Sequence, residues 1–280
     1  MNAWTDLGDG TRLRRSRVFA MNSVLLRADA HAVLVDPGVL PSDLDALAAA
    51  ARGADVVLVF THAHWDHVLG RPWWPEARTV GHARLADELH RDGATILAEA
   101  VKCAHERGER WEAGFVPFAV DEPVTDQRTL EIGPWRLVVR AAPGHCDSQV
   151  TVHLPAQRLL LAGDMLSDVE VPWLDGPPAI YRATIERLAR LVEAGEVETL
   201  VPGHGHVARG TDAVHARIRR DLRYLDALDE GVREARAAGL TLEQARARLA
   251  AIAPTDLSDA FPLAQVHREN VRFAWTAPAD

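Results

Sequence analysis

Four potential metal ligands fall within six residues: His62, His64, Asp66 and His67. They directly follow the apolar run 54–60, which indicates a buried strand. A rigid strand end can aim the side chains of the next loop into one pocket, and His62 and His64 point the same way if that loop is extended. Asp66 and His67 come where the chain should turn into a helix and can serve a second ion. This spacing indicates a metal site rather than a polar loop with incidental histidines.

Three further candidate ligands each follow an apolar run later in the chain. His145 stands in Pro-Gly-His, Asp164 in Gly-Asp and His204 in Pro-Gly-His-Gly, while an earlier acid, Asp36, ends the run Val-Leu-Val. H-x-H-x-D-H after an apolar strand, followed in order by a His, an Asp and a His, resembles the metallo-β-lactamase superfamily. Every element of that pattern is present and in order between residues 36 and 204.

The resemblance implies an α/β fold, an αββα sandwich of two mixed β-sheets flanked by helices. It also implies two metal ions with separate ligand sets and one bridging carboxylate. The first set is His62, His64 and His145, the second is Asp66, His67 and His204, and the bridge is Asp164. Asp36 is expected to brace the ligand loops without touching a metal.

These donors suit two Zn²⁺ ions, although Mn²⁺ or Fe²⁺ would also bind them. Two such ions typically lie about 3.5–4 Å apart and lower the pKa of a shared water from ~15.7 towards ~7. The resulting bridging hydroxide would attack a carbonyl that one ion polarises. Asp66 is the candidate catalytic residue, because it could orient this nucleophile and then pass a proton to the leaving group.

Departures from known branches narrow the function to a hydrolase of an ester, thioester or lactone bond. Asp164 argues against the zinc β-lactamases, which lack a bridging Asp, and the run 165–170 differs from the glycine-rich run of glyoxalase II-like enzymes. Acyl-homoserine-lactone lactonases carry a Tyr shortly after the bridge, where this chain has Ser167 and Asp168. Tyr181 could take that part, but a Tyr capping a helix start is the simpler interpretation. The apolar loop 171–174 suggests a small-molecule substrate with an apolar acyl part.

Two other enzyme classes remain open. Persulfide dioxygenases of the same superfamily use a single iron held by residues matching His62, His145 and Asp164. Metal analysis would separate one iron from two zinc ions. A nuclease or phosphodiesterase is disfavoured, because the formal net charge of −9 offers no basic stripe for nucleic acid.

Several residues near these motifs are assigned to structure. Cys146 is expected to be small packing beside a ligand, and His206 to be solvated or outside the ligand set. Trp73 and Trp74 could wall an apolar pocket or pack in the core, and the sequence leaves the two open, as it leaves open the part of Trp173. His82, His90 and His105 are expected to be solvated helix residues.

Length and composition predict one domain over residues 1–280, with 211–280 a mainly helical part packed on it. Two cysteines make no disulfide framework, and neither a signal peptide nor a run of 18 apolar residues occurs. We therefore expect a cytoplasmic protein without membrane or nucleic-acid partners, while its oligomeric state is left open. A single lysine among many arginines, with abundant alanine, suggests a GC-rich bacterial source.

Periodicity predicts the elements that must position the ligands. Strands are expected over 17–26, 32–35, 54–60, 130–132, 135–141, 149–154 and 158–162. Helices are expected over 43–51 with Ser42 as N-cap, 83–91, 95–107, 178–193, 212–237 and 241–251, the last opened by a capping box at Thr241.

Overall fold

Two mixed β-sheets are stacked face to face, with helices on both outer sides, in the computed structural model, which describes residues 4–252 and 261–278. The strands are β1 Trp4–Gly8, β2 Thr11–Arg15, β3 Asn22–Ala28, β4 His31–Val35, β5 Asp55–Val59, β6 Arg78–His82, β7 Glu122–Val124, β8 Gln127–Ile132, β9 Trp135–Ala141, β10 Val150–Leu154, β11 Leu159–Leu161, β12 Thr199–Val201 and β13 Ala208–Arg209. The helices are α1 Pro41–Ala50, α2 Leu85–Glu106, α3 Pro178–Glu193, α4 Thr211–Ala237, α5 Leu242–Leu249 and α6 Leu263–Thr276. The predicted αββα sandwich is confirmed.

The first sheet has the order β1-β2-β3-β4-β5-β6-β7, antiparallel up to β4 and parallel from β4 onward. Its central strands are apolar on both faces: Val33 and Val57 pack towards the second sheet, and Leu34 and Leu58 pack towards α1 and α2. Such continuous apolar runs are typical of parallel strands covered on both sides. Since β4 and β5 are parallel, Asp36 and the loop after β5 lie at the same sheet edge.

The second sheet has the order β13-β12-β11-β10-β9-β8. Strands β9, β11 and β12 run in the same direction, because β10 is antiparallel to both of its neighbours and β11 is parallel to β12. The loops that follow β9, β11 and β12 therefore leave from one edge. These loops carry the three later candidate ligands.

Helix α2 is continuous through Asp92 and Gly93, where the sequence predicted a break between two helices. A Cβ at Gly93 would lie 3.2 Å from Pro117 Cγ, so the glycine allows the segment around Pro117 to pack closely on the helix. A close approach thus explains this glycine better than a helix end does. Helix α1 also differs in detail, since it begins at Pro41 and Ser42 donates its hydroxyl proton to Glu109 instead of capping the helix.

The predicted bounds of α3 are confirmed. Tyr181, Ile185, Leu188 and Val192 are buried, while Ile180 is 43% exposed. Helices α4, α5 and α6 pack with α3 into one apolar cluster on the outer face of the second sheet. The capping box at Thr241 is confirmed, and α6 is an additional helix that the periodicity did not reveal.

The predicted first strand, 17–26, begins only at Asn22. Residues 17–21 form a turn in which Phe19 and Ala20 have φ of 50° and 49°. The backbone carbonyl groups of these two residues face the loop after β12. Ala20 O accepts a hydrogen bond from Gly205 N at 3.0 Å. The strand stops short because its backbone holds a ligand loop instead of continuing the sheet.

Candidate metal centre

Backbone hydrogen bonds join the loops that carry the candidate ligands. Val150 N donates to Thr61 O at 2.7 Å, and Gly203 N donates to Gly163 O at 2.7 Å. Asn22 adds a side-chain clamp on the last loop, donating from Nδ2 to Pro202 O at 2.9 Å. Loops fixed to one another in this way hold their side chains in a defined geometry.

All seven predicted ligands converge in one buried cluster at this edge. The ligand atoms within each of two groups lie within 4.8 Å of one another. The first group is His62, His64, His145 and Asp164, and the second is Asp66, His67 and His204. The grouping follows the two ligand sets that the resemblance implies.

Asp164 lies between the two groups. Its Oδ1 is 3.2 Å from His67 Nε2, and its Oδ2 is 3.4 Å from His62 Nε2, 3.4 Å from His204 Nε2 and 3.5 Å from His145 Nε2. This carboxylate therefore lies close to histidines of both groups, which is the placement that a bridging ligand needs.

The nitrogen and oxygen atoms that face the centre of the cluster are better suited to bind a metal ion than to hydrogen-bond with one another. His62 Nε2 and Asp164 Oδ1 are buried without a hydrogen-bond partner in the described part of the chain. Two pairs of ring nitrogens also face each other, His145 Nε2 with His64 Nδ1 at 3.0 Å and His67 Nε2 with His204 Nε2 at 3.3 Å. Buried polar atoms rarely lack hydrogen-bond partners, and a bound metal ion would satisfy these atoms.

The outward ring nitrogens are occupied, which fixes the tautomers that metal binding requires. His145 Nδ1–H donates to Trp173 O at 3.1 Å, and His204 Nδ1–H donates to Phe19 O at 2.9 Å. Metal-binding histidines usually donate their second N–H to such an acceptor, which orients the ring and leaves the other nitrogen free. The turn at Phe19 therefore has a direct role in aiming His204.

Charges within the cluster divide the histidines into two kinds. Burial holds the pKa of His62 well below its usual value and lowers that of His145 to about 3. Burial also opposes protonation of His67 and His204, but neighbouring carboxylates, Asp164 first, raise the pKa of His67 well above its usual value and that of His204 to about 10. The acidic side of the cluster therefore favours positive charge, as a cation site does.

Asp36 braces two ligands at once. Its Oδ1 accepts a hydrogen bond from Thr61 N at 2.7 Å, and its Oδ2 accepts from Thr61 Oγ1 at 2.5 Å and from His67 Nδ1 at 2.9 Å. The Thr61 hydroxyl lies 3.0 Å from His62 Nδ1 and can accept its proton. One carboxylate thus orients His67 directly and His62 through Thr61, in the structural part that the sequence analysis gave it.

We expect Asp36→Asn to weaken metal binding by about 10–100-fold, the usual cost of losing a partner behind the ligands. An amide supplies one acceptor where Asp36 supplies two, so the rings of His62 and His67 are less well oriented. Competition with a chelator measures the change. Asp121→Asn is a matched control, because that carboxylate also binds a backbone N–H of the first sheet, Thr79 N at 2.8 Å. If the Asp36 variant bound metal as tightly as wild type, Asp36 would not be needed to orient His62 and His67.

Gly203 precedes His204 because there is no room for a side chain. A Cβ at this position would lie 2.0 Å from Asp164 Oδ1 and 3.0 Å from His67 Cε1. A glycine therefore precedes the histidine of this motif because it lets the Asp164 carboxylate lie close to the backbone of the loop after β12.

The sequence analysis missed one acidic residue of the cluster, Glu170. It is 8% exposed, and its carboxylate forms a third group with Asp164 and His204 whose ligand atoms lie within 4.8 Å of one another. Burial raises the pKa of Glu170 to about 8, with His204 acting against the shift and Asp164 adding to it. The signal available in the sequence was an acid between Val169 and Val171, directly before the apolar loop 171–174.

Aromatic rings border the cluster on two sides. The Trp173 ring is 6.0 Å from that of His64 and 6.1 Å from that of His145, and Trp173 is 38% exposed. On the other side Phe261 lies 5.1 Å from the His204 ring and 5.2 Å from the Phe19 ring. Phe261 comes from the C-terminal part of the chain, so this part contributes to the rim of the site.

The remaining residues singled out in the sequence lie outside the ligand groups. His206 is an exposed partner of Asp168, with 3.0 Å between Nδ1 and Oδ2, and Cys146 is buried with Sγ 3.7 Å from Ser148 Oγ. Tyr181 is buried, and its hydroxyl lies 3.5 Å from the backbone oxygen of Asp164, so it neither caps the helix nor faces the cluster openly.

Three further histidines and two tryptophans singled out in the sequence also lie outside the ligand groups: His82, His90, His105, Trp73 and Trp74. His90 and His105 are helical and exposed as predicted, whereas His82 ends strand β6. Trp73 and Trp74 pack against the apolar cluster beside the first sheet, and Trp73 Nε1 donates to Asp45 at 2.8 Å.

Comparison with known proteins agrees with this geometry. A family model described as the metallo-beta-lactamase superfamily matches residues 17–204. Acyl-coenzyme A thioesterase MBLAC2 of Homo sapiens is 27% identical over 228 residues, which cover 72% of this chain and 80% of that protein. Hydroxyacylglutathione hydrolase of Methylobacterium sp. (strain 4-46) is 25% identical over 151 residues, or 54% of this chain and 48% of that protein. Since these relatives come from an animal and a bacterium, the source of the chain stays a prediction.

Solved structures with the same fold extend the likeness beyond the matched region. A metallo-beta-lactamase family protein of Thermus thermophilus superposes with a TM-score of 0.68 at 23% identity, covering 95% of this chain and 94% of that one. The sec-alkylsulfatase Pisa1 of Pseudomonas sp. superposes with a TM-score of 0.71 at 14% identity, covering 98% of this chain and 50% of that one. At these identities the likeness shows the fold alone.

Proposed function

Because the chain belongs to the metallo-beta-lactamase superfamily, we propose that it is a dinuclear metal-dependent hydrolase of thioester bonds. The observation that carries the proposal is the placement of Asp164 between two groups of ligand atoms. A single-metal site would need only one of these groups. The proposed ions are two Zn²⁺, held by His62, His64 and His145 and by Asp66, His67 and His204, with Asp164 shared.

Thioesters are favoured within the ester, thioester and lactone class for two reasons. Both relatives named above, the acyl-coenzyme A thioesterase and the hydroxyacylglutathione hydrolase, carry names of thioester hydrolases. The rim also supplies apolar surface for an acyl chain, since Trp173 lies beside His64, and Phe261 lies beside His204. Burial of each methylene against such surface contributes about 0.8 kcal/mol to binding.

When bound, the two ions would polarise the substrate carbonyl and lower the pKa of a water from ~15.7 towards ~7. The chain's own part is to place that water and to handle its proton. Asp66 is buried, with Oδ2 3.4 Å from His204 Nε2 and Oδ1 3.9 Å from His67 Nε2. Its carboxylate is placed to accept a hydrogen bond from the water and to hold one of its protons.

During hydrolysis Asp66 carries a proton from the water to the leaving group. The water oxygen becomes bonded to the acyl carbon, the carbon–sulfur bond breaks, and the proton held on Asp66 passes to the leaving sulfur. The products are a thiol and a carboxylic acid, which releases the second proton of the water to solvent to become a carboxylate, and Asp66 returns to its ionised form. Trp173 and Phe261 limit solvent access to the reacting carbonyl on the two sides of the cluster.

No helix in the described ranges 4–252 and 261–278 has the length and apolar character needed to cross a membrane. We propose a cytoplasmic enzyme that acts on a small-molecule substrate, needs neither a nucleic-acid nor a membrane partner, and comprises a single domain over residues 1–280.

A substrate panel tests the proposed reaction. The zinc-loaded protein is assayed with acyl-coenzyme A thioesters of increasing chain length, a hydroxyacylglutathione, a lactone, an alkyl sulfate and a phosphodiester. We expect the thioesters to give the highest kcat/KM, with values that rise with acyl length until the apolar rim is filled. Turnover of the sulfate or the phosphodiester without turnover of any thioester would contradict the proposal.

A further inference from the structure

Glu170 is a buried acid that the set of seven ligands does not include. Across the described residues, the side chain makes no hydrogen bond or ion pair, and only the backbone oxygen is engaged, accepting from Arg220 Nη2 at 2.6 Å. The residue is 8% exposed. The ionised form of such an acid is costly to bury without a partner, and a cation bound beside it would stabilise that form.

Its position suits coordination. Ligand atoms that share one Zn²⁺-sized ion at about 2.0–2.2 Å lie no more than about 4.4 Å apart. The Glu170 carboxylate is already within 4.8 Å of ligand atoms of both Asp164 and His204. The ligand atoms of these three side chains therefore need to approach one another by no more than about 0.4 Å to share one ion.

Charge balance supports the same assignment. Two divalent ions carry four positive charges, of which the carboxylates of Asp66 and Asp164 offset two. A net charge left in a buried site is unfavourable, and a third carboxylate reduces it. Glu170 is the acid that the structure places beside the second ligand group, through His204.

We propose that Glu170 is a further ligand of the second ion, the one assigned to Asp66, His67 and His204. This inference rests on the proposed dinuclear centre. The second ion then has three carboxylate donors and two imidazoles, whereas the first has three imidazoles and one carboxylate. Carboxylate-rich sites favour harder cations such as Mn²⁺, so the two positions differ in metal preference, with Zn²⁺ suited to the first.

Metal content of Glu170 variants tests the assignment without using activity. Metal-free wild type, Glu170→Gln and Glu170→Ala are reloaded with equimolar Zn²⁺ and Mn²⁺, dialysed, and analysed by mass spectrometry for ions per chain. Wild type should hold two ions. The variants should keep the first and lose the second at a chelator concentration at least about 10-fold lower, with a shift away from Mn²⁺.

Asp221→Asn is the matched control, because this carboxyl is also buried and packs near the same loop, accepting a hydrogen bond from Leu166 N. It should bind metal as wild type does. Glu170→Asp withdraws the carboxylate by about 1.5 Å, one carbon–carbon bond, and should weaken the second ion too, so the result does not depend on one variant folding. Circular dichroism of each metal-free protein verifies the fold.

Two negative results have different meanings. If wild type and all Glu170 variants hold two ions with the same affinity and the same Zn²⁺ to Mn²⁺ ratio, Glu170 is not a ligand and the dinuclear hydrolase proposal stands. If wild type holds fewer than two ions under every loading condition, the dinuclear centre itself is wrong, and the assignment of Glu170 falls with it.

Discussion

Asp164→Ala is expected to lose at least one ion per chain and to lower thioester turnover by more than about 100-fold, beyond the usual cost of removing a residue behind the ligands. The Asp164 carboxylate lies within 3.2–3.5 Å of four imidazole nitrogens, those of His62, His67, His145 and His204. Without it, two cations at close range lose the negative charge between them and repel strongly. Metal analysis and kcat on the same preparation measure both effects.

His206→Ala is the control for Asp164→Ala. This side chain is exposed and binds Asp168, outside all the ligand groups found among the described residues. We expect it to change neither metal content nor rate. If Asp164→Ala kept two tightly bound ions while His206→Ala lost one, the ligand assignment in the second half of the chain would be wrong.

Asp66→Asn is expected to keep the fold while lowering kcat by ~10²–10⁴-fold, the range for loss of a general acid–base group. The amide preserves the size of the side chain, which is buried next to His67 and His204, but it cannot take up and return a proton. Turnover is measured at saturating metal and with the metal content determined, so that weaker binding is separated from slower chemistry. If the metal-loaded Asp66→Asn variant kept a kcat near that of wild type, another group would have to carry the proton from the water to the leaving group.

Much of the ligand set could be predicted because its signals are local. His62, His64, Asp66 and His67 follow directly from an apolar strand, and His145, Asp164 and His204 each stand after an apolar run. Strand direction then brings the ends of β5, β9, β11 and β12 together, which the order of the motifs implied. The metal role of these seven residues stays a prediction until ions are measured.

The features that escaped prediction depend on contacts between distant parts of the chain. Glu170 is an ordinary acid in the sequence, and only the fold places it beside His204. Phe261 reaches the site from the C-terminal part, next to Phe19 of the N-terminal turn. Gly93 looks like a helix end until its packing against Pro117 is seen. Periodicity carries no information about such neighbours.

The burial of residues at the start of α3 likewise depends on contacts that periodicity does not reveal. Ile180 is more apolar than Tyr181, yet Tyr181 is buried and Ile180 is exposed, because the Tyr181 hydroxyl reaches the backbone oxygen of Asp164 while its ring joins the apolar cluster. A residue with both an apolar body and a polar tip suits a position beside a polar site. Hydrophobicity alone ranks these two neighbours in the wrong order.

Stepwise reloading of the metal-free protein is the most direct test of a dinuclear thioester hydrolase. Zn²⁺ is added in fractions of one equivalent per chain, and the rate of acyl-coenzyme A hydrolysis is measured at each step. We expect no turnover without metal and a rate that reaches its plateau at two equivalents of Zn²⁺. Removal of the ions with a chelator should abolish turnover again. Full activity at one equivalent, or activity that survives removal of all metal, would contradict the proposed centre.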